Sequence, residues 1–321
     1  MLARLRPLAD PMIAVLLIAT ALALLTPATG EARAYAQLVS NWSIFGLFLL
    51  NGMRIARTEI SKGLANWRCF GPLFMWVFGV MALAGWGLGA LAATILPPVV
   101  ALGFVYLGVL PSTIQSATSY TTLAKGNAAL SVVGAALINI AGVFVSAPLF
   151  ALLGGESGAD IGIEMISRIG LILVLPFLIG QAAQGWTRAW IIERKESVVW
   201  VDRLVIGIAV FVAFSGAVEE GLGTMFSALD WAALIGLSVL FLIFATGGAW
   251  LTSGWLGFPR ADRIAFLFAA AQKSVAIGAP LAAILFPTEV AGFVIAPLLL
   301  YHLLQLMWAA PLATTLARSQ P

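Results

Sequence analysis

The stretch at residues 266–280 reads FLFAAAQKSVAIGAP and places a lysine in the middle of an apolar run. The run extends from Ile264 to Phe286, and as a helix it covers about 35 Å at roughly 1.5 Å per residue. Lys273 would then lie near the centre of a membrane, where a charge costs on the order of 2.5–3.5 kcal/mol. Unless its side chain extends to an interface, the protein must use or compensate this ammonium.

The composition places the chain in a membrane. Of the 321 residues, 61% are hydrophobic and 10% are charged, which is too little charge to cover a surface in water. The single cysteine, Cys69, excludes an internal disulfide and any multi-cysteine metal site. We expect a polytopic protein of the lipid bilayer and no nucleic-acid partner.

The basic residues predict the topology of the chain. With the N-terminus in the cytoplasm, only Arg33 and Arg168 of the 17 basic residues fall in outer loops. The positive-inside rule therefore predicts a cell-membrane protein with both termini cytoplasmic. Arg4 and Arg6 before an apolar run also imitate a signal peptide, but we favour a retained helix because its removal would spoil the repeat described below. The ten predicted spans are 11–29, 35–53, 70–91, 98–124, 127–153, 166–185, 204–222, 231–256, 264–286 and 290–316.

The two halves of the chain, 1–154 and 160–321, resemble each other. An offset of 163 residues aligns the Ala-Pro-Leu sequences at 147–149 and 310–312, each near the end of the last span of its half. Five spans per half is an odd number, so the second copy enters the membrane from the opposite side. The sequence predicts an all-α membrane protein of ten helices in two inverted repeats, with helices four and nine discontinuous and crossing.

Each half contains an interrupted span. Pro111 removes a backbone donor from span four and is followed by polar residues, and the same offset places the second interruption next to Lys273. Unwound backbone within a bilayer requires partners from protein or a water-lined cavity, which favours a substrate site over a simple proline kink. The candidate substrate-binding residues are Ser112, Thr113, Gln115, Ser116, Asn139, Gln272, Lys273, Ser274 and His302.

Several roles stay open for the polar residues. Lys273 could attract an organic anion or replace a bound cation. His302 is the only histidine, so it cannot build a histidine metal centre, and it is either a structural hydrogen-bonding group or a proton-coupling group. Glu219 and Glu220 either face solvent or line an entrance. We do not expect an enzyme, because the spans hold no plausible pair of catalytic carboxylates or histidines.

Two motifs resemble the bile acid:sodium symporter superfamily (solute carrier family 10). They are PSTIQS at 111–116, continued by KGNAALSV at 125–132, and QKSVAIG at 272–278. They are most similar to the branch that contains the seventh vertebrate member and bacterial symporter-like proteins. The resemblance implies secondary transport by a core that works against a moving panel. The core would be 70–153 with 231–316, and the panel 11–53 with 166–222.

The same resemblance implies altered ion coupling. Sodium-coupled members carry a glutamate where this sequence has Phe268 and a ligand threonine where it has Ala135, whereas Ser131 matches a ligand serine. Hard cations need several oxygen ligands, so we expect weakened sodium binding, with Ser131 as the retained sodium-site candidate. No other cofactor is expected. The expected function is an alternating-access carrier of a small organic anion, driven by sodium, protons or exchange. The alternative is a non-transporting regulatory protein of ion homeostasis.

Overall fold

The computed structural model describes residues 11–57, 61, 66–154, 170–221 and 226–319, and this part of the chain is helical without a β-strand. A π-helical turn lies at Met75–Val80. In chain order the helices that define the fold are α1 (Pro11–Leu25), α2 (Gly30–Arg54), α3 (Trp67–Ala92), α4 (Pro98–Val109), α5 (Ile114–Leu123), α6 (Ala128–Gly154), α7 (Gly170–Glu193), α8 (Lys195–Glu219), α9 (Ala228–Trp255), α10 (Arg260–Ala271), α11 (Val275–Leu285) and α12 (Thr288–Arg318).

The prediction of an all-helical membrane protein is confirmed. In the described residues seven spans are long and apolar enough to cross a membrane, and the pair α4 and α5, bent by 62°, makes an eighth when counted as one span. The continuous range that contains α10 and α11 is one of the seven. Helix α1, with 15 residues, and α2, whose start carries Glu31 and Arg33, are not among them. The number of ten spans therefore stays a prediction.

Both predicted interruptions are present. Helix α4 ends at Val109 and α5 begins at Ile114, while α10 ends at Ala271 and α11 begins at Val275. Several helices are longer than the apolar segments predicted from hydropathy. Helix α8, for example, begins at Lys195 rather than at 204, because its charged first turns continue the helix beyond the apolar stretch.

The helices form two sets of neighbours. Helix α2 packs along α7, and both α1 and α2 pack on α8. In the other set α4 packs against α3 and α12, and α9 packs against α10. Helix α8 contacts α11 and α12 and so joins the sets. At this seam a Cβ on Gly216 would lie 2.0 Å from the Thr288 carbonyl oxygen, and one on Gly292 would lie 2.5 Å from that of Ala213.

Some residues used in the sequence argument lie outside the described part. These include Arg4, Arg6, Lys62 and Arg168, on which the topology prediction partly rests. The link between the two predicted repeats also lies outside it. Orientation in the membrane therefore remains a prediction from the sequence.

Glycine contacts between α3 and α4 provide a test of the packing. A Cβ on Gly85 would lie 2.7 Å from both the Gly108 Cα and the Phe104 carbonyl oxygen, whereas a Cβ on Gly87 of the same helix meets nothing within 4 Å. We expect Gly85→Leu to lower the stability by about 1–3 kcal/mol through overpacking. Gly87→Leu is the matched control and should leave it unchanged. Thermal unfolding of the purified proteins in detergent measures both, and equal effects would contradict this packing.

Candidate functional site

The end of α4 is the first interruption, and its backbone carbonyl groups are fully partnered. Pro111 has no N–H, so the helix cannot continue its hydrogen bonds there. Five consecutive carbonyls, from Gly108 to Ser112, nevertheless each accept a hydrogen bond, as buried backbone requires. The donors are Lys273 Nζ for Gly108 (2.9 Å) and Leu110 (2.7 Å), Ser146 Oγ for Val109 (2.8 Å), the Ser274 N–H for Pro111 (3.0 Å) and Asn139 Nδ2 for Ser112 (2.6 Å).

Lys273 answers the question raised by the sequence. Its side chain is fully buried (0% exposed), and its ammonium donates to two carbonyls on the interrupted helix opposite. None of the ion pairs between described residues includes it. The carbonyls at a helix C-terminus carry partial negative charge. The ammonium is therefore compensated by backbone dipoles and, in this conformation, does not face an open cavity.

The second interruption is held mainly from α12. Gln305 Oε1 accepts from the Lys273 N–H at 2.8 Å, and Gln305 Nε2 donates to the Lys273 carbonyl at 3.0 Å. The Tyr301 hydroxyl donates to the Ala271 carbonyl, the last of α10, at 2.7 Å. At the start of α11 the Ser274 hydroxyl accepts from the Ile277 N–H at 3.3 Å and so caps the helix. One glutamine thus replaces both backbone bonds that the break removes from Lys273.

The two interruptions also bond to each other. Besides the Ser274 N–H on Pro111, the Thr113 hydroxyl donates to the Lys273 carbonyl at 2.9 Å. The Ser116 hydroxyl donates to Gln272 Oε1 at 2.5 Å. We call residues 110–113 and 272–274, with these bonds, the crossing. Gly142 allows α6 to approach it, since a Cβ there would lie 2.6 Å from the Pro111 ring.

Most predicted site residues meet at the crossing, and three do not contact it directly. Gln115 points to the exposed surface of α5. Ser131 lies two turns before Asn139 on α6, and its hydroxyl accepts from Thr121. His302 is buried and reaches the crossing through Gln305, whose amide nitrogen lies 2.8 Å from His302 Nδ1. The predicted residues in or against the crossing are Ser112, Thr113, Ser116, Asn139, Gln272, Lys273 and Ser274.

Four residues of this network were missed by the sequence prediction. Two of them left a signal: Ser146 lies two helical turns after Asn139, and Gln305 lies one turn after His302, so each continues a polar face in an apolar helix. The two tyrosines left no such signal, because in an apolar segment a tyrosine cannot be told from any other aromatic residue. The Tyr301 hydroxyl donates to the last carbonyl of α10, and the Tyr106 hydroxyl donates to the Gly278 carbonyl at 2.5 Å.

The residues present do not fit the sodium ligands that the resemblance implies. The Phe268 ring is buried and lies 5.9 Å from the Tyr120 ring, so no carboxylate is available there. Ala135 offers no hydroxyl, and its carbonyl accepts from Asn139 Nδ2 at 2.7 Å. No group of three or more His, Cys, Asp or Glu residues in the described part could hold a metal ion. Ser131 alone cannot replace the missing oxygen ligands.

Two cavities in the described part differ in their distance from the crossing. A cavity of about 240 Å³ lies between α3, α6 and α10, away from the crossing, and is lined mainly by apolar residues such as Phe70 and Leu137. A pocket of about 10 Å³ touches Gln272 and Gln305. The latter has room for about one water molecule. Thr113 is partly exposed and Gln115 is exposed.

Long apolar helices and two interrupted helices joined within the protein define a polytopic membrane transporter. Comparison with known proteins agrees, since the SBF-like CPA transporter family matches residues 10–318. The chain belongs to this family, which is a bile acid:sodium symporter family.

Relatives extend over nearly the whole chain. An uncharacterized protein of Pseudomonas aeruginosa is 35% identical over 96% of this chain and 91% of its own length. YfeH of Escherichia coli is 33% identical over 95% of this chain and 92% of its own length. Sodium/bile acid cotransporter 7 of Mus musculus is 23% identical over 87% of this chain and 83% of its own length. The predicted family resemblance is confirmed.

Gln305 provides a test of the network. Gln305→Leu keeps the approximate volume but leaves the Lys273 N–H without its partner, which should lower the stability by about 1–3 kcal/mol. Gln115→Leu is the control, because Gln115 is exposed and should change stability by no more than about 0.5 kcal/mol. Thermal unfolding measures the stability of both variants. A Gln305→Leu protein as stable as the control would contradict the network.

Proposed function

We propose that this transporter is an alternating-access carrier of an organic anion, with ten spans arranged as two inverted five-helix repeats. The observation that carries the proposal is the crossing, where one interrupted helix from each half bonds to the other. Such a pair places helix ends near the membrane midplane, which is where secondary transporters bind substrate. A fold that only had to be stable would gain nothing from two such breaks.

The order of helices supports the inverted repeat. Residues 1–154 and 160–321 would be the two copies. Each copy has its interrupted helix followed by a long one, α6 or α12, and the internal prolines Pro148 and Pro311 occur at equivalent places in these long helices. We further propose that both termini are cytoplasmic, as the basic residues indicate.

The helix contacts support a division into a core and a panel. Helices α1, α2, α7 and α8 contact one another, and α3 to α6 with α9 to α12 form the other set. The seam between them, along α8 and α12, is lined by Gly216 and Gly292. Small residues give a smooth surface with few interlocking side chains, along which helices can shift. The panel would then move against a rigid core that holds the crossing.

The anion would bind at the starts of α5 and α11. Both helix N-termini lie at the crossing and carry partial positive charge, which suits an anionic group. Thr113 is partly exposed at the crossing, with Ser112, Gln272 and Ser274 behind it, and the Gln115 amide on the adjoining exposed face of α5 can donate hydrogen bonds. Lys273 would add a full positive charge from within the core, where the low dielectric screens it little. It would attract the anion without contacting it in this conformation.

A charged cluster would close the transporter on one side. Arg33 at the start of α2 pairs with Glu219 at the end of α8 and with Glu289 at the start of α12, and its Nε donates to Thr288 Oγ1 at 2.7 Å. The cluster therefore ties both sets of helices together. With cytoplasmic termini it lies on the outer face, and the structure would be the outward-closed state. Glu219 would thus serve at the entrance, whereas Glu220 would be solvated.

Purified protein in liposomes tests transport. A carrier should take up at least one of a labelled bile acid, an aryl sulfate and a dicarboxylate faster than protein-free liposomes do. Thr113→Val should reduce that uptake about tenfold or more, since it removes a hydroxyl at the crossing. The matched control is Thr246→Val on α9, whose hydroxyl bonds its own helix. A folded protein that takes up none of the three anions would contradict the proposal and favour a regulatory role.

Labelling of the crossing tests the charged cluster. In a Cys69→Ala background, Thr113→Cys should react slowly with a membrane-impermeant maleimide added outside intact cells. Adding Glu219→Gln should raise that labelling rate several-fold, because it weakens the outward-closed state by about 1–2 kcal/mol. Adding Glu220→Gln instead should leave the rate unchanged. If the two substitutions have the same effect, the cluster does not control access.

A further inference from the structure

The ligands of the Lys273 ammonium are those of a bound cation. Its two hydrogen-bond partners are neutral carbonyl oxygens, on Gly108 and Leu110, at 2.9 and 2.7 Å. Both belong to one short piece of backbone at the end of α4. Carbonyl oxygens gathered around one point are how proteins hold monovalent cations without a carboxylate.

We infer that the unwound end of α4 is a cradle for a monovalent cation, formed by the carbonyls of Gly108 and Leu110, and that the Lys273 ammonium is its resident cation. The Ser112 hydroxyl is a further candidate ligand. Ser112 is fully buried (0% exposed), and its Oγ has no hydrogen-bond partner among the described residues. A buried polar group without a partner is typical of a site that a ligand can complete.

The cradle is shaped by other residues and does not depend on Lys273 for its form. The neighbouring carbonyls accept hydrogen bonds from donors other than the ammonium. They are those of Val109, Pro111 and Ser112. One turn earlier, Tyr106 is tied to the Gly278 carbonyl. These bonds fix the backbone on both sides. The Gly108 and Leu110 carbonyls therefore stay aimed at one place when the ammonium is removed.

The chemistry of the occupant follows from the atoms of the side chain. Lys273→Ala removes three methylene carbons and the ammonium, which together correspond to n-propylammonium. A primary ammonium of this length can fill the vacated space and donate to both carbonyls. A quaternary ammonium carries the same charge but has no N–H to donate.

The inference deepens the proposed function. Its significance for transport rests on that function, but the presence of the cradle does not. A carrier whose central cation is covalently attached needs no dissolved ion at this place. The experiment below measures stability, so it can succeed or fail whether or not liposomes show uptake. The two outcomes are therefore distinguishable.

The test is the melting midpoint of the purified Lys273→Ala protein in n-propylammonium chloride at neutral pH. We expect the midpoint to rise by about 2 °C or more relative to the same concentration of tetramethylammonium chloride. n-Propanol, which fills the space without charge, should raise it less. The wild-type midpoint should not respond selectively, because its cradle is occupied. Equal midpoints of the Ala variant in the two ammonium salts, or an equal rise in the wild type, would overturn the inference.

Lys273→Met keeps the test decisive if the Ala variant cannot be purified. Methionine fills most of the space of the lysine side chain without supplying a donor. We expect its midpoint to be lower than that of the wild type and insensitive to n-propylammonium. A Lys273→Met protein as stable as the wild type would show that the carbonyls need no cation. Lys195→Met, which removes an exposed lysine at the start of α8, is the control for loss of charge.

Discussion

Carbonyl groups in a helix that stops inside a membrane have no water to bond with, and the rest of this structure depends on how those groups are satisfied. At the end of α4 five consecutive carbonyls receive donors from α6 and from the break between α10 and α11. The donor that serves two of them is a lysine ammonium, which would itself be unstable at membrane depth without those carbonyls. The cost of the unpaired carbonyls and the cost of the buried ammonium offset each other only because both interruptions lie at one place. This explains why a charge and two breaks coexist in a largely apolar protein.

The same arrangement gives the crossing its rigidity. Gln305, Asn139 and Tyr301 hold the interrupted backbone from the long helices α6 and α12, so the unwound segments have little freedom. A rigid crossing keeps its helix starts in a fixed geometry. Movement would then be left to the contact between sets of helices, where glycines replace interlocking side chains and where one arginine links α2, α8 and α12. Substrate binding and conformational change would thus use different parts of the protein.

The sequence predicted the positions of the interruptions better than the partners of the polar residues. Pro111 and Lys273 stand out in apolar surroundings, and Asn139, a predicted site residue, bonds to the Ser112 carbonyl at the crossing. The Lys273 partners could not be predicted, because backbone carbonyls on another helix leave no pattern in the sequence. Gln115 was expected at the crossing with its neighbours, but α5 begins at Ile114 and turns its side chain to the exposed face. Hydropathy located the segments but not the helix ends, since charged turns extend α8 beyond the apolar stretch.

The central claim that we propose is that the protein carries its own cation at the crossing, in place of a sodium ion. The most direct measurement is the melting midpoint of the wild-type protein in sodium chloride and in potassium chloride at equal ionic strength. A protein that binds sodium in its folded state is stabilised by it. The account predicts equal midpoints in the two salts over a wide range of concentrations. A midpoint that rises with sodium and saturates, but does not do so with potassium, would show a sodium site and contradict the claim.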